Sequence, residues 1–236
     1  MIASLAFAAR NKGFSLIELL AAMGVVSILL AIMLAALGRG RALAEETHCR
    51  ANLRALGQAA LLYANEHEGE FPRSKHSARG ANTRPWNTTI QPYLGYDSSM
   101  TGDEVADSIE RHCRCPKDER ESHSSYGLNV YVELDLHLNP SDYGSGWQGE
   151  TWRTLASMPA PNQTILFAEL KSGENADHVM AHFWTGNTAN AEVAIDRHGG
   201  KANYAFVDGH VELLLVESVF DASNGINKWN PATAGN

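Results

Sequence analysis

One carboxylate stands alone in a long apolar run. From Phe14 to Leu37 the only ionisable side chain is Glu18, within Gly13-Phe14-Ser15-Leu16-Ile17-Glu18-Leu19-Leu20. A run of roughly 20 apolar residues is long enough for one helix to cross a bilayer. A carboxylate inside it costs a few kcal/mol, so it must find a partner. An ion path or proton relay is a poor reading, because one span with one acid makes no transporter.

The other chemistry-bearing residues lie far downstream. His198 is followed by nine residues and then Asp208-Gly209. Asp-Gly between the β-rich runs 202–207 and 210–216 predicts a hairpin with a type I′ turn and positive φ at both central residues. For His198 three readings stay open: a hydrogen bond to the hairpin backbone, a metal ligand, or a contact with a neighbouring subunit. His178 and His182 share one face if that segment is helical, but the glutamate of a zincin motif is missing. Cys113-x-Cys115 lacks the usual zinc spacing. With Cys49 these make three cysteines, so at least one is unpaired; Cys49 with Cys113 or with Cys115 are the open pairings. No Gly-x-Ser-x-Gly elbow, P-loop or dinucleotide fingerprint is present, and no enzyme activity or cofactor is expected.

Positioning these residues calls for one long helix and a head of class α+β. Cys49, Leu53, Leu56, Ala60 and Tyr63 recur at four- and three-residue steps, the stripe of an amphipathic helix packed on a domain. Only single glycines interrupt the pattern between Phe14 and Phe71, so a continuous helix of roughly 50 residues is predicted, about 75 Å at 1.5 Å per residue. Ser27, Ala31 and Ala35 form a small-residue stripe within the apolar half, and Gly38 and Gly40 loosen its end. Downstream the sequence predicts a short helix near 88–94, strands over 125–136 and 164–169, a helical turn over 152–158, and the antiparallel hairpin at 202–216. Residues 73–125 otherwise read as loops, 139–150 as a Gly/Ser-rich excursion, and the chain beyond Phe220 as Asn-rich coil. With 236 residues and a net charge of −8, a general nucleic-acid binder is not expected on electrostatic grounds.

A basic leader (Arg10, Lys12), a glycine, an aromatic and then an acid four residues later, inside a span, resembles the processing site of type IV pilins and type II secretion pseudopilins. The segment Arg197 to Val211 is similar to a large pilin-like family with prepilin-type processing and an H-x9-DG signature; His198, Asp208 and Gly209 carry that match. The resemblance implies cleavage by a prepilin peptidase between Gly13 and Phe14 and methylation of the Phe14 amine. Glu18, fifth in the mature chain, would meet the N-terminal amine of a neighbouring subunit. It implies a leader at 1–13, a transmembrane half-helix at 14–37, an amphipathic half at 38–68 and a periplasmic head at 69–236, with the hairpin near 198–216. Implied partners are other pilin or pseudopilin subunits, an assembly platform protein with its ATPase, and the inner membrane, with no nucleic acid. By analogy with the major pseudopilin, calcium has candidate ligands in Asp196, Asp208 and Glu169, although no Asp-rich loop of defined spacing appears. Two other leader readings are an uncleaved anchor and an ordinary signal peptide cut after Ala42-Leu43-Ala44. A different class of function is a membrane-anchored periplasmic binding module that does not polymerise.

Overall fold

The computed structural model describes residues 15–96, 99, 101–119, 124–134, 150–172, 176–186 and 188–235. The chain divides into two compact units, Met1–Ala44 and Glu45–Asn236.

Helix α1 (Leu16–Glu66) is 51 residues long and runs unbroken through Gly24, Gly38 and Gly40. Nothing approaches within 4 Å of the space where a Cβ would stand on those three glycines, so no packing demands a break there. Ser15 opens the helix. Its N–H donates to Glu18 Oε2 (2.9 Å) and its Oγ accepts the Glu18 N–H (3.3 Å). This reciprocal capping box satisfies two donors that a helix start leaves orphaned. Within the first unit every large apolar side chain from Leu16 to Leu37 is exposed, and by length and composition this part of the helix can cross a membrane.

In the second unit the amphipathic seam faces the core. Cys49, Leu53, Leu56, Ala60 and Ala64 are fully buried. Tyr63, the last residue predicted for the seam, is only partly buried and stacks on His67, with ring centroids 3.8 Å apart. Beyond the helix, Phe71 N–H donates to the Arg153 carbonyl (2.9 Å), tying the exit of α1 to the chain 82 positions on.

Among the described residues three helices follow: α2 (Lys75–Gly80), α3 (Trp86–Thr89) and α4 (Gly102–His112). The predicted helix near 88–94 is split into α3 and a 3₁₀ turn, Gln91–Leu94. The loop reading of 73–125 misses α2 and α4. The signal for α4 is Thr101-x-x-Glu104, which forms a capping box.

The core sheet has five strands in the order β3-β1-β2-β4-β5: β1 (Tyr126–Asn129), β2 (Ile165–Glu169), β3 (His178–Val179), β4 (Ala202–Phe206) and β5 (Val211–Leu214). All pairings are antiparallel except β1 with β3. A separate hairpin pairs β6 (Phe220–Asp221) with β7 (Ile226–Asn227), where only coil was expected. Every residue of β1, β2 and β4 is buried, because the sheet is covered on both faces. On the side facing α1 lie Leu128, Phe167 and Ala205, set by register; Gly57 admits the sheet closely, with the space for its Cβ 3.7 Å from Ala205 Cβ. On the other face Tyr204 meets Trp229, whose indole also packs edge-on against Trp184.

The strand predicted over 125–136 stops at Asn129. The Asn129 side chain accepts the Tyr131 N–H (3.1 Å) and turns the chain into a 3₁₀ segment, Val130–Val132. Its amide meanwhile donates to the carbonyls of Ile165 (2.7 Å) and Trp229 (2.8 Å), so one buried side chain joins three segments.

Candidate functional site

Gly13 and Phe14 lie outside the described residues. Glu18, next along, is exposed, and its carboxylate is engaged by its own helix start. Ser27, Ala31 and Ala35 are likewise exposed on α1.

The head brings four residues from distant parts of the chain to one buried place. α1 supplies Cys49, the segment after α4 supplies Cys115, the end of β2 supplies Glu169, and the approach to β4 supplies His198. Their ligand atoms all lie within 4.8 Å of one another. Cys49 and Cys115 form a disulfide, with Cα atoms 4.9 Å apart. Cys113 is free and buried, and burial pushes its thiol up to about 12. Asn52 donates to the carbonyls of Arg111 (3.3 Å) and Arg114 (2.9 Å), which holds the end of α4 against α1 beside the disulfide.

His198 Nε2 stands 2.9 Å from Glu169 Oε1 and 3.7 Å from Cys115 Sγ. The second oxygen of Glu169 accepts the backbone N–H of Asn203 (2.9 Å), and the Asn203 amide lies 3.3 Å from the first. Both His198 and Glu169 side chains are fully removed from solvent. Beside them Arg197 pairs with Asp118 (3.3 Å) and donates to the Leu170 carbonyl (2.8 Å). Asp118 in turn accepts from Ser125 Oγ (2.7 Å), which itself accepts the Cys115 N–H (2.9 Å). A buried charge is tolerable only when paired, as Arg197 is with Asp118, although Arg197 Nη1 and His198 Nδ1 are left without a hydrogen-bond partner. The three-way choice left open for His198 thus has a concrete geometry, with the imidazole against Glu169 and the disulfide.

The nine-residue spacing to Asp208-Gly209 now has a physical account. From His198 beside Cys49, the chain enters β4, passes Gly57 at Ala205, and reaches a turn whose Gly209 stands against Leu61. Cys49 to Leu61 is about 18 Å along a helix at 1.5 Å per residue. One strand and its turn cover that reach, so His198 and Gly209 stand at two ends of one seam between β4 and α1. The turn is not type I′. Gly209 has φ +90°, but Asp208 is not among the residues with positive φ. Gly209 N–H donates to the Phe206 carbonyl and Phe206 N–H to the His210 carbonyl, both 2.9 Å. The loop is therefore Val207-Asp208-Gly209, a turn closed by one left-handed glycine. Asp208 is exposed and accepts the His210 N–H (3.1 Å). Gly209→Ala should cost about 1–2 kcal/mol for the left-handed backbone, whereas Asp208→Asn should leave the melting temperature nearly unchanged; thermal unfolding followed by tryptophan fluorescence checks both.

The carboxylates considered for calcium do not gather. Glu169 belongs to the buried cluster, Asp208 to the exposed turn, and Asp196 to a shallow groove with Glu45, Lys117 and Arg197. Among the described residues the only group of three or more potential metal ligands is Cys49, Cys115, Glu169 and His198.

His178 and His182 do not share a helix: the first is in β3, the second in a 3₁₀ turn, Ala181–Phe183. Around them lies a second titratable cluster. Glu133 is buried, which raises its carboxyl, while its Oε2 accepts the Ser74 N–H. Burial alone would lower His178, yet the Asp177 hydrogen bond (3.1 Å) and the charges of Glu133, Asp177 and Glu192 leave it raised. His182 is pushed down to about 4, chiefly by burial and then by His178. Between pH 6.5 and 4 the unfolded chain takes up a proton at His182 that the native head refuses, so this group removes stability as pH falls through that window. For a partly exposed ring the effect is about 1–2 kcal/mol after solvent screening. Glu133 acts oppositely, its burial cost being relieved on acidification. His182→Gln should therefore lose less melting temperature than the parent between pH 7 and pH 4.5.

Residues 8–34 match the family model described as the prokaryotic N-terminal methylation motif. The match takes in Arg10, Lys12, the Gly13-Phe14 pair, Glu18 and most of the apolar run. No curated protein and no solved structure matches the chain significantly.

Proposed function

We propose that this chain is a pilin-like structural subunit, made as a single-pass inner-membrane precursor with its head in the periplasm. A prepilin peptidase cuts between Gly13 and Phe14 and methylates the Phe14 amine. The mature subunit then assembles through α1 into a type IV pilus or a type II secretion pseudopilus. The observation that carries this reading is the methylation motif at 8–34 opening a 51-residue helix whose first part is apolar and uncovered. An uncovered apolar helix must meet lipid or other helices. Glu18 adds register: its carboxylate and the Phe14 amine of a neighbour would form an ion pair in a low-dielectric layer, where pairing is strong and mispairing costly. The assembly platform and its ATPase are the further partners this reading needs. The work is mechanical, and no substrate is turned over.

Cysteines placed at Ser27 or Ala31, in a Cys113→Ser background, test assembly by crosslinking in cells. A ladder of oligomers is expected, and Glu18→Ala should reduce it to monomer while leaving the protein in the membrane fraction. Strict monomers with an intact Glu18 would overturn polymerisation and favour a membrane-anchored binding module.

A further inference from the structure

The buried cluster in the head has the composition of a closed metal site, interrupted by one covalent bond. Two sulfurs, an imidazole nitrogen and a carboxylate oxygen meet within 4.8 Å. Two thiolates, a histidine and a carboxylate are all ligands that zinc takes, at about 2.0–2.3 Å and in tetrahedral array. Ligand atoms in such an array stand roughly 3.3–3.8 Å apart by that geometry. His198 Nε2 is already 3.7 Å from Cys115 Sγ, and at 2.9 Å from Glu169 Oε1 it needs only a small retreat. One nitrogen thus faces both neighbours, as a single ion between them would require.

The surroundings hold Glu169 and Cys115 as an outer shell would, while the Nδ1 of His198 is buried without a hydrogen-bond partner. Glu169 Oε2 is fixed by the Asn203 N–H, leaving Oε1 turned to the cluster. The Cys115 backbone is held by Ser125 Oγ, and Ser125 by Asp118. Outer hydrogen bonds of this kind orient ligands and strengthen binding. Arg197, paired with Asp118 and 8% exposed, places a positive charge beside a site that would carry two thiolates and a carboxylate.

We propose that when the Cys49–Cys115 bond is reduced, the head binds one zinc ion through Cys49, Cys115, His198 and Glu169. The disulfide and the zinc site are then mutually exclusive fastenings of the same two segments. In the first step a phosphine or dithiol supplies two electrons to the S–S bond and each sulfur gains a proton. With a phosphine, the oxidised product is its oxide, the oxygen coming from water. In the second step Zn²⁺ binds both sulfurs and displaces their two protons to solvent, with no change in redox state. Zinc then restores the cross-link that reduction removed. Cys113 plays no part. The proposal does not depend on whether the chain polymerises.

The test uses the full chain in detergent micelles, reduced with a phosphine under mild denaturant, refolded without oxygen, and given zinc or cobalt(II) alone. Expected are one zinc per chain retained through gel filtration, a zinc-dependent rise in melting temperature, and a cobalt spectrum with tetrahedral visible bands and near-ultraviolet thiolate charge transfer for two sulfurs. His198→Ala and Glu169→Gln should each weaken binding at least tenfold, while Cys113→Ser leaves it unchanged. If either ligand variant fails to fold, the cobalt spectrum of the parent chain decides by its geometry and thiolate count. Equal zinc uptake by the oxidised chain, an octahedral cobalt spectrum, or loss of binding in Cys113→Ser would overturn the proposal.

Discussion

Gly13→Trp should leave the protein at its full precursor mass, anchored in the membrane, with Phe14 neither exposed as an N-terminus nor methylated. The effect is expected to be close to all-or-none. A peptidase that cuts after glycine must bring the scissile backbone close, and an indole at that position bars the approach. The span from Phe14 to Leu37 is untouched by the change, so insertion should proceed normally. Intact-mass measurement on protein purified from the membrane fraction reads the outcome directly. Loss of the first thirteen residues in the variant would sink the processing assignment, and with it the motif reading on which the proposed function stands. The same measurement on the soluble fraction separates the alternatives for the leader: an ordinary signal cleavage after Ala44 would release a head lacking the span there, in parent and variant alike.

The second large effect is expected in the head. Removing the Cys49–Cys115 bond by Cys115→Ser opens a loop with a sequence separation of 66. The chain-entropy relation assigns a closed loop of that length about 4 kcal/mol. A domain of this size loses about 2–4 °C of melting temperature per kcal/mol, so a fall of roughly 10 °C or more follows. The serine also leaves a buried hydroxyl beside His198 and Glu169, which adds to the loss. Cys113→Ser is the control, because that thiol is in no bond. Thermal unfolding of both variants under oxidising conditions, followed by tryptophan fluorescence, checks the difference. An unchanged melting temperature in Cys115→Ser would mean that the bond fastens nothing the fold does not already hold.

The parts legible in the sequence are those whose signals are local and periodic. The long helix follows from apolar content and the absence of strong breakers, and its buried face from Cys49, Leu53, Leu56 and Ala60. β2 follows from a compact β-rich run, and β4–β5 from two such runs around Asp-Gly. Where a single side chain redirects the backbone, the reading fails. Asn129 ends β1 through a side-chain turn, although Val130, Tyr131 and Val132 all favour strand. Val207, apolar and β-branched, reads as strand but belongs to the turn, which then needs one left-handed residue instead of two. α4 escapes a reading by period because its apolar face is narrow, with Val105 and Ile109 as its main members, and its local signal is the Thr101–Glu104 cap. The buried cluster has no local signature. Its four members come from four elements, and only the folded topology shows that Glu169 and His198 share a place with the cysteines.

The position of Cys49 on α1 bears on how the head would carry a pull. Along α1 it is the first fully buried residue, ahead of Leu53, Leu56 and Ala60. Tension entering the head from the N-terminal side of the helix therefore meets a covalent link before it reaches any fully buried side chain. The load passes across to Cys115 and into the strand that begins at Tyr126, bypassing residues 50–114. Those residues, which include α2, α3, α4 and the last third of α1, hang as a closed loop that bears no stretching force while the bond is intact. In the oxidised state an extended head should therefore lengthen only by chain beyond Cys115, and in the reduced state by the whole.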